Sequence, residues 1–395
     1  GLALAWGDLS SQFAAFGGVY ALTFVVILTN LFLAAAWERK KSSWVVSAAA
    51  LAAMPYLLGG AHLAWNRPAG DQRILTAALV QTGFPIEETL SFSGSEDYYN
   101  YILDEWREIF RLLKPVASQK MNLVALPELT VPGGTYFLIY DFDEAADALK
   151  EIFGRDVEAS FPSFDYPVAG VVAGKRKVNN AFFAYTLANY LNADLAIGLE
   201  AHEEGAAYTT LTLFQPGTPE VQRYEKQLLV PMGEYVPLGA LRDFAASYGV
   251  VGSFEAGDCC KVLAGSGASY GPSVCYEEVV GSLMRHNRPL GADILVNITN
   301  DGWFPGYGLP RVHYEHARLR TVETGLPALR ACNTGVTAAL DSFGRPLAML
   351  DESGSGVLTT QVPLQKAFTL YSHFGDGPIV LFSLFLVCLF PRKII

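Results

Sequence analysis

The stretch MNLVALPELTVP (121–132) sets the reading of the chain. Met121–Leu126 is a short apolar run of strand type, and Pro127, which cannot continue a ladder, ends it directly in front of the carboxylate Glu128. A second stretch, GPSVCYEEV (271–279), repeats the device with a thiol: the run Gly271–Cys275 stops at Cys275 and a helical pattern follows. In RYEKQLLVPMGEYVPL (223–238) an ammonium, Lys226, stands at such an end, with Glu234 eight residues later. Around these points, strand-like runs occur at Arg73–Val80, Asp194–Leu199, Tyr208–Phe214 and Ala292–Ile298. Later strands are expected at 327–332, 336–341, 346–350 and 356–362. Helical spacing marks 96–114 (apolar at Tyr98, Ile102, Trp106, Ile109 and Leu113), 141–153, 177–191, 277–286 and 311–325. Ala264–Tyr270 reads as a Gly/Ser-rich loop. The alternation predicts an α/β domain with sheets inside and helices outside.

The ends of the chain differ from this block. Phe13–Trp37 runs 25 residues without Asp, Glu, Lys or Arg, and Trp44–Trp65 runs 22. At about 1.5 Å per residue, each reaches across a hydrocarbon layer of about 30 Å. Gly377–Phe390 is a third apolar run, short at 14 residues, with Arg392 and Lys393 behind it. The basic residues Arg39, Lys40 and Lys41, like the basic C-terminus, belong on the cytoplasmic side. The expected organisation is therefore membrane helices in 1–65, an extracytoplasmic domain in 66–373, and a C-terminal span in 374–395. Gly1–Gly7 reads like the tail of an earlier span, so the chain is expected to be a fragment of a longer membrane protein.

Composition closes off other classes. The chain is 395 residues long, 51% hydrophobic and 17% charged, with a net charge of −11. That apolar content excludes a disordered chain, and the acidic balance opposes nucleic-acid binding. Five cysteines without a CxxC pair exclude a disulfide scaffold and a thiolate zinc site. His313 and His316, with Glu315 between them, have metal-ligand spacing but read as a helix surface. Gly267–Gly271 matches a serine-hydrolase elbow around Ser269 but lacks a strand before it and a helix after it. Asn333 is expected to set a turn. Cys259–Cys260 could oxidise outside the cytoplasm, although adjacent cysteines bridge only with strain.

A carboxylate, an ammonium and a thiol at strand ends are the parts of a covalent acyl-transfer site: nucleophile, proton carrier and oxyanion stabiliser. A helix starting at Cys275, together with Lys226, is expected to lower the thiol pKa.

PELTVP (127–132), KQLLVPMGEYVPL (226–238), VCYEE (274–278), GADILVNITNDGWF (291–304) and HARLRTVETGLPALRACNTG (316–335) resemble, in order, the nitrilase or carbon-nitrogen hydrolase superfamily. With the flanking spans they resemble the bacterial apolipoprotein N-acyltransferases. The resemblance implies a nitrilase-like αββα sandwich inserted between transmembrane helices. It implies a catalytic triad of Glu128, Lys226 and Cys275, supported by Glu234, Glu277 and the backbone N–H of Tyr276, with no cofactor and no metal. The implied reaction moves an acyl chain from a phospholipid, typically phosphatidylethanolamine, through a Cys275 thioester. The acceptor is the α-amino group of a diacylglyceryl-cysteine on an apolipoprotein. The implied protein is a multi-pass monomer of the bacterial inner membrane with its catalytic domain on the periplasmic side. On that reading Trp303 and Phe304, in the loop 300–307, form a flap that touches acyl chains. Leu126 stands where such enzymes often carry tryptophan, and they carry more spans than this chain. A membrane-tethered amidase with water as acceptor and an idle scaffold are the competing readings.

Overall fold

In a computed structural model, which describes residues 2–67, 70, 72–86, 90–236, 254–303, 308–352 and 354–389, the apolar runs of the central block pair into two six-stranded sheets. In the first, β1 (Ile74–Gln81), β2 (Leu123–Ala125), β3 (Asp194–Glu203), β4 (Ala206–Phe214) and β5 (Val221–Glu225) lie side by side. In the second, β6 (Leu263–Ala264), β7 (Ser269–Val274), β8 (Ile294–Thr299), β9 (Ala328–Cys332), β10 (Ala338–Leu340) and β11 (Pro346–Met349) follow in the same way. The last strand, β12 (Gly356–Pro363), returns to the first sheet and runs antiparallel along β1. The middle strands of both sheets are parallel: β1 with β2, β2 with β3, β7 with β8 and β8 with β9.

Both faces of these strands are apolar because both are covered. Leu75, Ala77 and Leu79 of β1 face Tyr270, Val274, Ile294, Val296 and Leu329 of the second sheet, which makes the dry layer between the sheets. The alternate residues Ala78 and Val80 face a second core outside the first sheet. Helices α1 (Ala14–Arg39) and α2 (Ser42–Trp65) precede β1. Helix α3 (Ser95–Leu113) fills the outer core with Ile102, Trp106, Ile109 and Leu113, beside α4 (Phe142–Phe153) and α5 (Asn180–Leu191). Each of these large side chains gains about 1.5–3 kcal/mol by leaving water. Helix α6 (Leu309–Thr324) covers the second sheet, with Tyr314 and Ala317 against Leu295, Ala328 and Leu340. The layers run helix, sheet, sheet, helix, as expected.

Two local expectations change. The segment 277–286 is not one helix. It is a 3-10 turn (Cys275–Val279), a single helical turn (Gly281–Met284) and another 3-10 turn (Arg285–Asn287). Val280 between them is extended, and the Glu277 carboxylate binds backbone N–H groups outside its own turn. Part of the Gly/Ser segment 264–270 is a hairpin, with Ser269 paired to Ala264. A small three-stranded sheet (Tyr140–Asp141, Ala169–Val172, Lys175–Val178) was not foreseen.

Helices α1 and α2 are long and apolar enough to cross a membrane, while the later apolar helix, α8 (Gly377–Leu389), is shorter. Helix α1 is interrupted at Gly17 and Gly18, and Gly18 takes φ 68°, a left-handed value that glycine tolerates. A Cβ there would enter the ring of Tyr371, from the short helix α7 (Leu370–Phe374). Past the break, the Val19 N–H donates to Glu323 Oε1 of α6 at 2.8 Å, so the α/β domain caps this helix. Ala14, Ala21, Leu22 and Val25 pack on Leu319 and Val322 of α6.

Candidate active site

Glu128 is placed by backbone pairing. Beyond β2 the chain stays on β3: Leu126 N–H donates to Ala196 O (2.8 Å), Gly198 N–H to Pro127 O (3.0 Å) and Thr130 N–H to Gly198 O (2.9 Å). This close approach needs Gly198, because a Cβ there would stand 2.6 Å from Glu128 Cα and 2.7 Å from Leu129 N. Leu129 turns at φ 41°, and Glu128 is left buried at the sheet's end.

Lys226 follows β5. Its N–H donates to Thr209 O (2.9 Å), and its carbonyl accepts from Gly257 N–H (2.8 Å). The ammonium is buried between two carboxylates, 2.9 Å from Glu128 Oε1 and 2.6 Å from Glu234 Oε1. Burial disfavours this charge, but Glu128, Cys275 and Glu234 outweigh it and raise the Lys226 pKa above the ordinary lysine value. Glu234 is steadied by Val230 N–H at 2.8 Å, and burial, offset in part by Lys226, pushes its carboxyl up.

Cys275 comes from the other sheet, at the end of β7. It is half-buried and holds a left-handed φ of 52°, an uncommon conformation for a non-glycine residue. The loop after β8 closes the site: Asn300 N–H donates to Glu128 Oε2 at 3.1 Å, joining the two sheets' ends. Burial and the neighbouring Glu128 push the Cys275 thiol well up, with Lys226 pulling the other way. This corrects the expectation of a helix-lowered pKa: only a short 3-10 turn starts there, and desolvation dominates. Glu128 is the carboxylate next to this thiol.

Glu277 is fully buried and, among the described residues, makes no hydrogen bond or ion pair with the Lys226 ammonium or the thiol. Its Oε1 accepts from Gln227 N–H (2.6 Å), Leu228 N–H (3.1 Å) and Tyr224 hydroxyl (2.9 Å), and its Oε2 from Val274 N–H (2.8 Å). It therefore clamps the backbone after Lys226 to the backbone before Cys275. Tyr276 is exposed, and its N–H opens the 3-10 turn, where leading N–H groups lack partners within the turn. Trp303 is half exposed; Phe304 lies outside the described residues.

The sequence matches the carbon-nitrogen hydrolase family over residues 49–369. The apolipoprotein N-acyltransferase of Chlamydia pneumoniae is 31% identical across 94% of this chain and 67% of its own length. The chain belongs to the apolipoprotein N-acyltransferases of the carbon-nitrogen hydrolase family. Another N-acyltransferase, from Bordetella bronchiseptica, is 29% identical over 95% of this chain and 65% of its own length. A solved carbon-nitrogen hydrolase from Helicobacter pylori aligns with a TM-score of 0.49 at 17% identity, covering 80% of this chain and 99% of that one.

In this N-acyltransferase, one cluster beneath the thiol escaped the sequence reading. His313, expected on a helix surface, is buried: its Nδ1 lies 2.7 Å from Asp301 Oδ1, and its Nε2 lies 3.0 Å from Glu278 Oε1 and 3.2 Å from Cys275 O. Arg330 completes the group, 2.7 Å from Glu278 Oε1, 2.9 Å from Asp301 Oδ2 and 2.9 Å from His313 Nδ1. Two carboxylates thus balance two cations in a closed, buried set. Their spread over 52 residues, from Glu278 to Arg330, hides them from any local motif. Asn333 ties loops together rather than setting a turn. Its Oδ1 accepts from Thr82 hydroxyl and Phe84 N–H, each at 2.7 Å. Ser269 lies in β7, and no metal-type cluster of His, Cys, Asp and Glu occurs among the described residues.

Proposed function

We propose that the chain N-acylates lipoproteins in two steps through Cys275, with a membrane phospholipid, typically phosphatidylethanolamine, as donor. Glu128 takes the thiol proton as Sγ attacks the ester carbonyl carbon. Lys226 and the Tyr276 N–H receive the tetrahedral oxyanion. Collapse breaks the ester C–O bond, the lyso-lipid oxygen takes the proton from Glu128, and a thioester remains. The α-amine of a diacylglyceryl-cysteine then attacks, Glu128 accepts its proton, and the C–S bond breaks to give the amide and restore the thiol. Glu234 holds Lys226 in place, and Glu277 fixes the backbones on either side.

The observation that carries this reading is a buried ammonium paired to Glu128 and Glu234 beside a half-buried thiol. A lipid donor is favoured over a soluble amide by Leu129, Met232, Tyr276 and Trp303, all exposed on the loops that carry the polar groups. Helices α1 and α2, taken as membrane spans with the domain on the periplasmic side, bring the site to lipids without extracting them into water, which would cost about 0.8 kcal/mol per CH₂. One copy supplies every group named.

The test is intact mass after incubation with phosphatidylethanolamine vesicles. Wild type gains one acyl group, Cys275→Ala gains none, and a diacylated lipopeptide discharges the adduct as an amide. Discharge to free fatty acid alone would make the protein a hydrolase, and no adduct at all would end the covalent reading.

A further inference from the structure

His313 has no part in the chemistry above, yet its buried ring lies against the nucleophile's own backbone, with Nε2 3.2 Å from Cys275 O. That carbonyl shares one peptide group with the Tyr276 N–H. Among the described residues only Tyr166–Pro167 is cis, so the 275–276 peptide is trans and planar, and its C=O and N–H point in opposite directions. A group that pins the carbonyl therefore aims the N–H. Two groups do so from the same side of the peptide: His313 Nε2, and Asn297 Nδ2 at 3.3 Å.

We propose that His313 is a positioning residue for the oxyanion site: by holding the Cys275 carbonyl it fixes the Cys275–Tyr276 peptide with its N–H turned towards the substrate. The inference rests on the acyl-transfer reading given above. Cys275 sits at φ 52°, where a non-glycine residue is under strain, so the peptide needs an external hold to keep this turn. The hold is rigid. Asp301 Oδ1 fixes the far nitrogen of the ring at 2.7 Å, Glu278 Oε1 shares the near one at 3.0 Å, and Arg330 locks both carboxylates. Burial opposes charge on the ring, but Glu278 and the Asp301 hydrogen bond prevail over burial and Arg330 and push His313 up to about 9, so near neutral pH it donates from both nitrogens. A charged donor on the carbonyl also polarises the peptide and strengthens the opposite N–H as a donor.

The experiment separates aim from reactivity, using the full chain in detergent micelles. Acylation of Cys275 by dioctanoyl phosphatidylethanolamine is followed by rapid quench and mass spectrometry. Alkylation by iodoacetamide is followed in parallel, because displacement at its saturated carbon forms no oxyanion. His313→Gln is expected to slow acylation about ten- to a hundredfold, less than outright loss of an oxyanion donor, and to change alkylation by less than about threefold. Asn297→Ala, which leaves the four-charge cluster intact, is expected to shift the same ratio in the same direction by a smaller factor. It carries the test if the histidine variant does not fold. Unchanged acylation in the folded variants, or an equal fall in both rates, would overturn the proposal. An acyl adduct persisting in Cys275→Ala would instead overturn the acyl-transfer reading.

Discussion

Gly198→Ala tests the site without touching any reacting group. The new methyl carbon would stand 2.6 Å from Glu128 Cα and 2.7 Å from Leu129 N, with the Pro127 carbonyl oxygen closer still, whereas ordinary contact begins near 3.4 Å. All three neighbours are backbone, so no rotamer change relieves the clash, and the Glu128 segment must move by about 1 Å. The hydrogen bonds from Leu126, Gly198 and Thr130 that tie this segment to β3 resist the move. Overpacking of this kind costs about 1–3 kcal/mol of stability. A displacement of about 1 Å at a catalytic group costs about a hundredfold in rate. The 2.9 Å contact between Glu128 and Lys226 is the first to lengthen. Expected, then, is a folded variant with a slightly lower melting temperature, single-turnover acylation down about a hundredfold, and iodoacetamide alkylation down as well, because the proton acceptor has moved. A folded Gly198→Ala protein that acylates within about threefold of wild type would show that Glu128 need not sit where the close approach puts it.

Three further outcomes follow from the geometry. Lys226→Met leaves Glu128 and Glu234 facing each other without their cation; it should lose acylation and about 3–5 kcal/mol in denaturant unfolding, and adding Glu234→Leu should recover part of the stability but not the activity. His313, pushed up to about 9 when folded against an ordinary 6.5, contributes stability that is complete below about pH 6.5 and is lost as the pH rises through 9. Unfolding free energy should accordingly fall over that window by up to about 3 kcal/mol, His313→Gln should flatten the slope, and an equal slope in both proteins would assign it elsewhere. Trp303→Ala should raise KM for a long-chain phospholipid several-fold while leaving acylation by a short soluble ester unchanged; parallel losses would place Trp303 in the folding of the loop instead.

The parts of the site legible in the sequence were those that punctuate it. Glu128 and Cys275 each end an apolar run, and a polar group at such a strand end stands out; Lys226 follows the polar stretch VQRYE and is picked out by its KQLLVPMGEYVPL string. What remained hidden had the opposite character. Helix α6 looks polar all round, with Arg311, Glu315, Arg318, Arg320 and Glu323, yet most of it is buried. Its charges are neutralised by one another and by distant residues: Arg318 by Glu315 and Asp8, Arg320 by Glu323. Hydrophobic periodicity cannot see burial achieved by pairing, and for that reason His313 reads in the sequence as a helix-surface residue. The 277–286 segment misled for a related reason: helix-forming residues were present, but the Glu277 carboxylate serves the neighbouring strand ends.

The cap that Glu323 supplies to Val19 bears on how this protein can be taken apart. Cutting the chain in the connector between Trp65 and Ile74 would not yield an enzyme and an anchor. It would leave Leu319 and Val322 bare, and a buried carboxylate beside Arg320 robbed of its amide donor. The first apolar helix is accordingly a structural component of the α/β domain, and an excised catalytic piece would aggregate or refold around the missing surface. Trimming for solubility should spare everything from Asp8 onward, since Asp8 pairs with Arg318 and Ala14 packs on Leu319 and Val322.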